Sequence, residues 1–262
     1  VSEGGKLKTV TQAGKTVREH LPPIGFFVAA FAFWEVLVRV TGVSEFLLPA
    51  PSTIFSVMLN MQRAYYVPWI HHIRLTLFEI IAGFLLAVAV GILLAVFITY
   101  STTMEKTLMP VIVFVEVLPK IAVAPLFLIW IGYGMEPKIA IAFLIAFFPM
   151  VVNTATGLRD VDPDLIDLLR ILKASKIQVF AKVRFPSAIP HIMSGLKISM
   201  TSAVIGAIVG EFVASSEGLG YLIVNAQSTL QTPMAFASLF YIAILGLILF
   251  GAVSLMGRFF KY

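Results

Sequence analysis

The residues able to do polar chemistry in this chain are few, and several interrupt long apolar runs. Glu79, Glu116, Lys120 and Glu211 stand among Ile, Leu, Val, Phe and Ala. Glu116 precedes Lys120 by four residues, the order and spacing that favour an ion pair on one helix face. A charge in apolar surroundings is costly, so such residues should face a helix bundle or a wet cavity. The pair either braces its helix against a neighbour or lines a polar path for a solute. Glu35 and Arg39 repeat the spacing near the start of the chain, where a peripheral pair is expected. His71 and His72 are adjacent, and neighbouring helical residues do not face one another, so an interfacial position is expected rather than a metal site. The chain has no cysteine, which excludes thiol nucleophiles, disulfides and thiolate metal centres. It has no glycine-rich phosphate loop ending in Lys-Ser/Thr and no paired-histidine zinc helix. It therefore reads as a protein without an enzyme site, cofactor or metal of its own.

The elements that position these residues follow from composition. Of 262 residues, 59% are hydrophobic and 13% charged, and the mean hydropathy is +0.97. A soluble domain carries roughly 25% charged residues, so the bilayer is the natural solvent here. Residues 1–23 form a basic tail with Lys6, Lys8, Lys15 and Arg18, and residues 24–262 read as one transmembrane domain. Six spans are expected, at about Ile24–Val40, Ile73–Tyr100, Thr107–Ile131, Ile139–Thr156, Ile189–Ala214 and Met234–Met256. The first lacks a small-residue cleavage site and reads as an uncleaved span. Pro110, Pro119 and Pro125 break the third; the carbonyls they free need neighbouring helices or a cavity. Ahead of the second span, a loop with Pro49, Pro51 and Pro68 carries Tyr65, Tyr66 and Trp69, which suit a membrane interface. Ser202, Gly206, Gly210 and Ala214 form a small-residue seam that lets another helix approach closely. Ser215–Pro233 reads as a polar loop. The basic tail and the six Lys and Arg residues between Arg159 and Arg184 contrast with none between Ser215 and Pro233. That bias puts both termini and the 159–184 segment in the cytoplasm. The net charge of +5 flanks the spans, which favours this reading over nucleic-acid binding. No internal repeat is visible, which counts against many secondary transporters.

Between the fourth and fifth spans lies a polar island, Val161–Pro190. Asp162 followed by Pro163 is a helix start, a capping side chain and then proline at the first helical position. Leu165, Leu168, Leu169 and Leu172 follow at helical spacing. Lys173 to Lys176 interrupt the pattern, and Ile177, Phe180 and Ala181 mark a second short helix that Pro186 should end. An amphipathic helix at a membrane surface either enters a groove in a partner protein or lies on the headgroups with its basic residues holding lipid.

The island resembles the E-A-A-x-x-x-G…I-x-L-P signature of ATP-binding-cassette importer permeases. Asp167 stands at the acidic position and Leu168 and Leu169 at the alanines. Lys173 stands at the glycine, followed by Ala174 and Ser175, and Val183, Phe185 and Pro186 match the terminal motif. Lys173 is the main departure, because glycine there eases a left-handed backbone. LPAPSTIF (48–55), LPKIAVAPLFLIWIGYG (118–134), FFPMVVNTATGL (147–158) and GEFVASSEGLGYLI (210–223) are similar to the nitrate, sulfonate and taurine class, which includes bicarbonate and thiamine-precursor pyrimidine importers. The resemblance implies the all-α type I importer fold in the bacterial plasma membrane, with residues 160–186 as a cytoplasmic coupling region. It implies a homodimer, two cytoplasmic ATPase subunits that bind ATP and Mg, and an extracytoplasmic binding protein. Glu211, inside the last of these stretches, suits a gate or structural role. The expected activity is import of a small polar solute, a sulfonate- or nitrate-like anion or a small heterocycle, by alternating access. The alternatives are an ion-gradient-driven transporter or channel with Glu79, Glu116 or Glu211 as proton site, and a membrane-embedded enzyme or assembly factor.

Overall fold

In an apolar medium a chain must close its own backbone hydrogen bonds, and helices do this locally. The computed structural model describes residues 25–60 and 66–259, which are helices and their connections, with no strand among them. The tail cations Lys6, Lys8, Lys15 and Arg18, and also Ile24, Tyr65 and Lys261, lie outside the described residues. The helices are α1 (residues 25–41), α2 (Pro51–Met58), α3 (Trp69–Thr99), α4 (Thr102–Val117), α5 (Lys120–Ile131), α6 (Glu136–Arg159), α7 (Pro163–Ile171), α8 (Lys176–Val179), α9 (Phe185–Ala214), α10 (Leu219–Ser228) and α11 (Thr232–Phe259). A π-helical turn, Phe180–Arg184, joins α8 to α9. Among the described residues, four stretches are long and apolar enough to cross a bilayer: α3, α6, α11 and the continuous run Lys176–Val213. The pair α4 and α5 makes a fifth if it counts as one broken span.

Three expectations change. The third span breaks at one proline only: α4 and α5 meet at 93°, while Pro110 and Pro125 lie inside their helices. Leu118 is extended, with φ −60° and ψ 136°, as a residue before proline prefers, and Pro119 then caps α5. The 215–233 segment is not simply a loop, because it contains α10. Leu219, Leu222 and Ile223 are buried there at helical spacing, a pattern that the polar residues around them obscure. Nor does Pro186 end its helix. In the π turn the Phe185 N–H donates to the Phe180 carbonyl, five residues back. This shifted ladder runs straight into α9, whose first turn tolerates proline.

The described residues form two compact units, 25–60 with 66–67 and 226–237, and 68–225 with 238–259. In the first, Ala50 caps α2 without a side-chain hydrogen bond. Glu35 of α1 takes over that role, accepting from Ser52 N–H at 2.9 Å and from Ser52 Oγ at 2.7 Å. A carboxylate suits a helix N-terminus. Arg39 pairs with Glu35 at 2.6 Å, so the expected pair exists and also fixes α2. Asn60 closes the end of this unit by exchanging hydrogen bonds with the Val67 backbone at 3.0 and 3.1 Å.

The second unit is built on α3, α6 and α9. Glu79 faces Lys138, Gly83 faces Ala142 and Gly91 faces Met150. The offset is the same each time, as parallel helices in one register require. Against α9 the order reverses: Gly210 meets Lys138, Gly206 meets Ala142, Gly195 meets Asn153 and Gly157 meets His191. Each of those pairs has the same sum of residue numbers, so α6 and α9 are antiparallel. A Cβ on Gly206 would come within 2.6 Å of the Ala142 Cα, and one on Gly210 within 2.9 Å of the Lys138 Cα. The expected seam is therefore a backbone-to-backbone packing surface at Gly206 and Gly210, and Ser202 beside it is half-buried.

Candidate functional site

The register of α3, α6 and α9 brings three charges into one buried layer. Glu79 comes from α3, Lys138 from α6 and Glu211 from α9, and all three are buried. Lys138 Nζ lies against Glu79 Oε1 as an ion pair and donates to Ser215 Oγ at 3.2 Å. Glu211 is held by donors: Thr76 Oγ1 at 2.6 Å and the Gly220 N–H. The Leu219 N–H donates to Thr76 Oγ1 at 2.9 Å, and the Gly218 N–H donates to His72 Nδ1 at 3.0 Å.

Three successive amides, Gly218 to Gly220, thus hand the unpaired donors of α10's first turn to α3 and α9. His72, Thr76 and Glu79 stand on one face of α3 at helical spacing. Gly218 has φ +113°, where a side chain is strained, and a Cβ on Gly220 would lie 2.8 Å from Glu211 Oε2. This explains the glycines of the GLG stretch: the carboxylate of Glu211 fills the space a side chain would need. The connection is pinned further by Ser215, which accepts from the Glu217 N–H at 3.2 Å, and by His71, 3.2 Å from Glu217 Oε2.

Several sequence expectations are redistributed. His72 is a buried hydrogen-bond acceptor rather than an interfacial residue. Lys138, which the sequence does not single out, is the partner of Glu79. The signal was there in part, since a buried glutamate demands a cation, but which cation depends on the α3–α6 register. Glu116 and Lys120 do not share a helix face, because the 93° bend falls between them. No ion pair joins these two described residues; both are half-buried, and Lys120 Nζ lies 4.9 Å from the Phe148 ring centroid, a cation–π distance.

At the far end of these helices sits the island. Asp162 caps α7 as its sequence suggested, accepting from the Asp164 N–H at 2.9 Å. Leu165, Leu168 and Leu172 are exposed by 44, 52 and 66%, whereas Ile166 and Leu169 are half-buried. The leucine stripe is therefore split, with one edge turned inward and the other left uncovered. Asp167 and Pro186 are exposed as well. α7 ends in a left-handed residue, Lys173 at φ +52°, and the Ala174 N–H reaches back to the Leu169 carbonyl at 2.9 Å. That is a Schellman closure made by lysine where glycine is usual. Ser175 then starts α8 with a capping box: its N–H donates to Gln178 Oε1 at 2.8 Å and its Oγ accepts from the Gln178 N–H at 3.3 Å. The S-x-x-Q spacing is a readable signal for this start. Arg159 with Glu105 at 3.1 Å and His191 with Asp160 at 3.3 Å tie down the flanks of the island.

Comparison with known proteins adds to this geometry. The family described as "Binding-protein-dependent transport system inner membrane component" matches residues 87–261. The formylaminopyrimidine transport permease protein ThiX of Halalkalibacterium halodurans is 34% identical over 236 residues, 90% of this chain and 93% of that protein. The putative aliphatic sulfonates transport permease protein SsuC of Bacillus subtilis is 33% identical over 227 residues, 87% of this chain and 82% of that one. The riboflavin transport system permease protein RibX of Chloroflexus aurantiacus is 32% identical over 226 residues, 86% of this chain and 84% of its own. Among solved structures, the MetNI methionine ABC transporter in inward-facing form matches with a TM-score of 0.59 at 20% identity, covering 72% of this chain and 92% of that one.

Proposed function

The chain belongs to the binding-protein-dependent transport system inner membrane components, the multi-pass ABC transporter permeases of the plasma membrane, and from that premise we propose that it is the permease subunit of an ATP-driven importer for a small polar solute. In this reading the tail and a single permease domain follow the charge bias, with six spans and cytoplasmic termini. The island then faces the cytoplasm, where two ATPase subunits hold it, while an extracytoplasmic binding protein delivers solute. A second copy of the chain completes the pathway, and ATP and Mg stay on the partner subunits. The solute class follows the relatives' named cargoes, a sulfonate-like anion or a small heterocycle.

The observation that carries this reading is the uncovered leucine edge of α7. A helix between two apolar spans, capped at both ends and presenting Leu165, Leu168 and Leu172 outward, leaves apolar area in water unless a partner covers it. Asp167, Lys173, Ala174, Ser175 and Pro186 frame that edge. ATP-driven closure of the partners would move α7, and the continuous run from Lys176 into α9 would carry the movement into the spans. In the pathway, Glu116 and Lys120 flank the bend of the broken span, on separate helices. Glu79 is spent on Lys138, and Glu211 on the Thr76 hydroxyl and the Gly220 amide. That argues for a structural role at a fixed outer closure and against a proton site in an ion-driven carrier.

Replacing Leu165 and Leu168 with Asp tests the assignment. The two charges would enter an apolar groove at a cost of several kcal/mol each, by order of magnitude. Membrane yield should hold while co-purification of the ATPase and ATP-dependent uptake are lost. Unchanged co-purification and uptake would overturn the docking role.

A further inference from the structure

The inner side of the island carries a second feature that partner docking does not use. Between α3 and the island lies a cleft of about 460 Å³. Its walls are apolar, with Val96, Ile166, Ile177 and Phe180. Its polar groups are Lys176, Arg184 and the hydroxyls of Thr99 and Tyr100, and no acidic side chain is among its lining residues. Lys176 Nζ sits 5.7 Å from the Tyr100 ring centroid, and Arg184 has no ion-pair partner among the described residues. The π turn Phe180–Arg184 puts both of its end residues on the cleft; such turns concentrate at functional sites.

We propose that this cleft binds one anionic phospholipid, its phosphate held by Lys176 and Arg184 and an acyl chain laid along Val96, Ile166 and Ile177. Charge complementarity selects the occupant: two cations without a carboxylate, at the end of apolar helices, beside a wall that suits hydrocarbon. A basic pocket between helices at the cytoplasmic level is where anionic headgroups concentrate. The assignment rests on the reading that the island end is cytoplasmic. Bound there, the lipid would brace the island against α3 and so stiffen the connection through which α7 moves α9.

The test is native mass spectrometry of the full chain, alone and with its ATPase subunits, after equilibration with phosphatidylglycerol or phosphatidylcholine of the same acyl length. The wild type should retain one phosphatidylglycerol per chain and little phosphatidylcholine. Lys176→Gln with Arg184→Gln should cut that retention by about thirtyfold, the scale expected for two headgroup cations. Ile177→Trp, which fills the cleft without changing charge, should also displace the lipid, so the proposal stays testable if the double variant folds poorly. Lys182→Gln, an exposed cation outside the cleft lining, should leave retention unchanged. Equal retention of both lipids would overturn the proposal, as would equal loss in Lys182→Gln or full retention in the double variant. So would displacement of the lipid when ATPase is added, which would assign the cleft to that partner. Lipid retention by a permease that never binds ATPase would sustain the lipid site and defeat only the docking role.

Discussion

Lys138 shows how one residue can hold two interfaces. Its stem packs on Gly210, with a hypothetical Gly210 Cβ only 3.1 Å from the Lys138 Cβ. Its ammonium neutralises Glu79 in a layer with almost no access to solvent. Removing one partner of a buried pair leaves the other charge uncompensated, at about 3–5 kcal/mol. Lys138→Met should therefore cut the yield of folded protein sharply. Adding Glu79→Gln should restore much of it, because no orphan charge then remains at that contact. Detergent-extracted yield and size-exclusion profile measure both variants. A double variant no better than Lys138→Met would show that the lysine acts mainly on Glu211 or Ser215 instead. Glu79 announced its need for a partner in the sequence. Lys138 did not announce itself, since it lies near the start of α6, among residues that resemble a turn.

At the scale of elements, α6 is the shared wall of the second unit, with α3 parallel on one side and α9 antiparallel on the other. Close approach there depends on glycines facing backbone. Gly206→Ala would put a methyl group 2.6 Å from the Ala142 Cα and 3.0 Å from the Ile141 carbonyl oxygen. Overpacking of this kind typically costs about 1–3 kcal/mol, and the rigid neighbour leaves little room to relax. Gly251→Ala in α11 meets nothing within 4 Å and should be neutral to slightly stabilising, because alanine is the better helix former. Comparing the thermal midpoints of the two variants in the same detergent checks the packing argument. A Gly206→Ala midpoint equal to that of Gly251→Ala would refute it. The small-residue spacing in α9 was legible as a seam, but the identity of the facing helix was not. The bend at Pro119 was legible as one break among three candidates. Pro110 and Pro125 lie inside their helices.

For the whole molecule, the charge bias makes a prediction about sidedness that the absence of cysteine makes easy to read. A cysteine placed at Ser175, in the exposed turn between α7 and α8, should be shielded from an impermeant thiol reagent in intact cells. One placed at Ser228, at the exposed end of α10, should react. Labelling of detergent-opened membranes controls for accessibility, and the reverse pattern would invert the topology. The same labelling would fix where each site works: shielding at Ser175 with reaction at Ser228 puts the leucine edge and the basic cleft at the cytoplasmic end and the Glu79–Lys138–Glu211 layer at the opposite end of the helices.

Composition and periodicity by themselves determined that the chain is helical and membrane-spanning, because apolar runs of this length have no other way to satisfy their backbone. They also determined the island, since capping residues and a leucine stripe are local signals carried within a few positions. Tertiary structure alone decided which charges meet. Glu116 and Lys120, four residues apart, are separated by a bend, while Glu79 and Lys138, far apart in the chain, touch. It also decided that Leu165 and Leu168 face outward while Ile166 lines a cleft. The reason is physical: spacing along one helix specifies a face, but only the register between helices specifies what that face opposes.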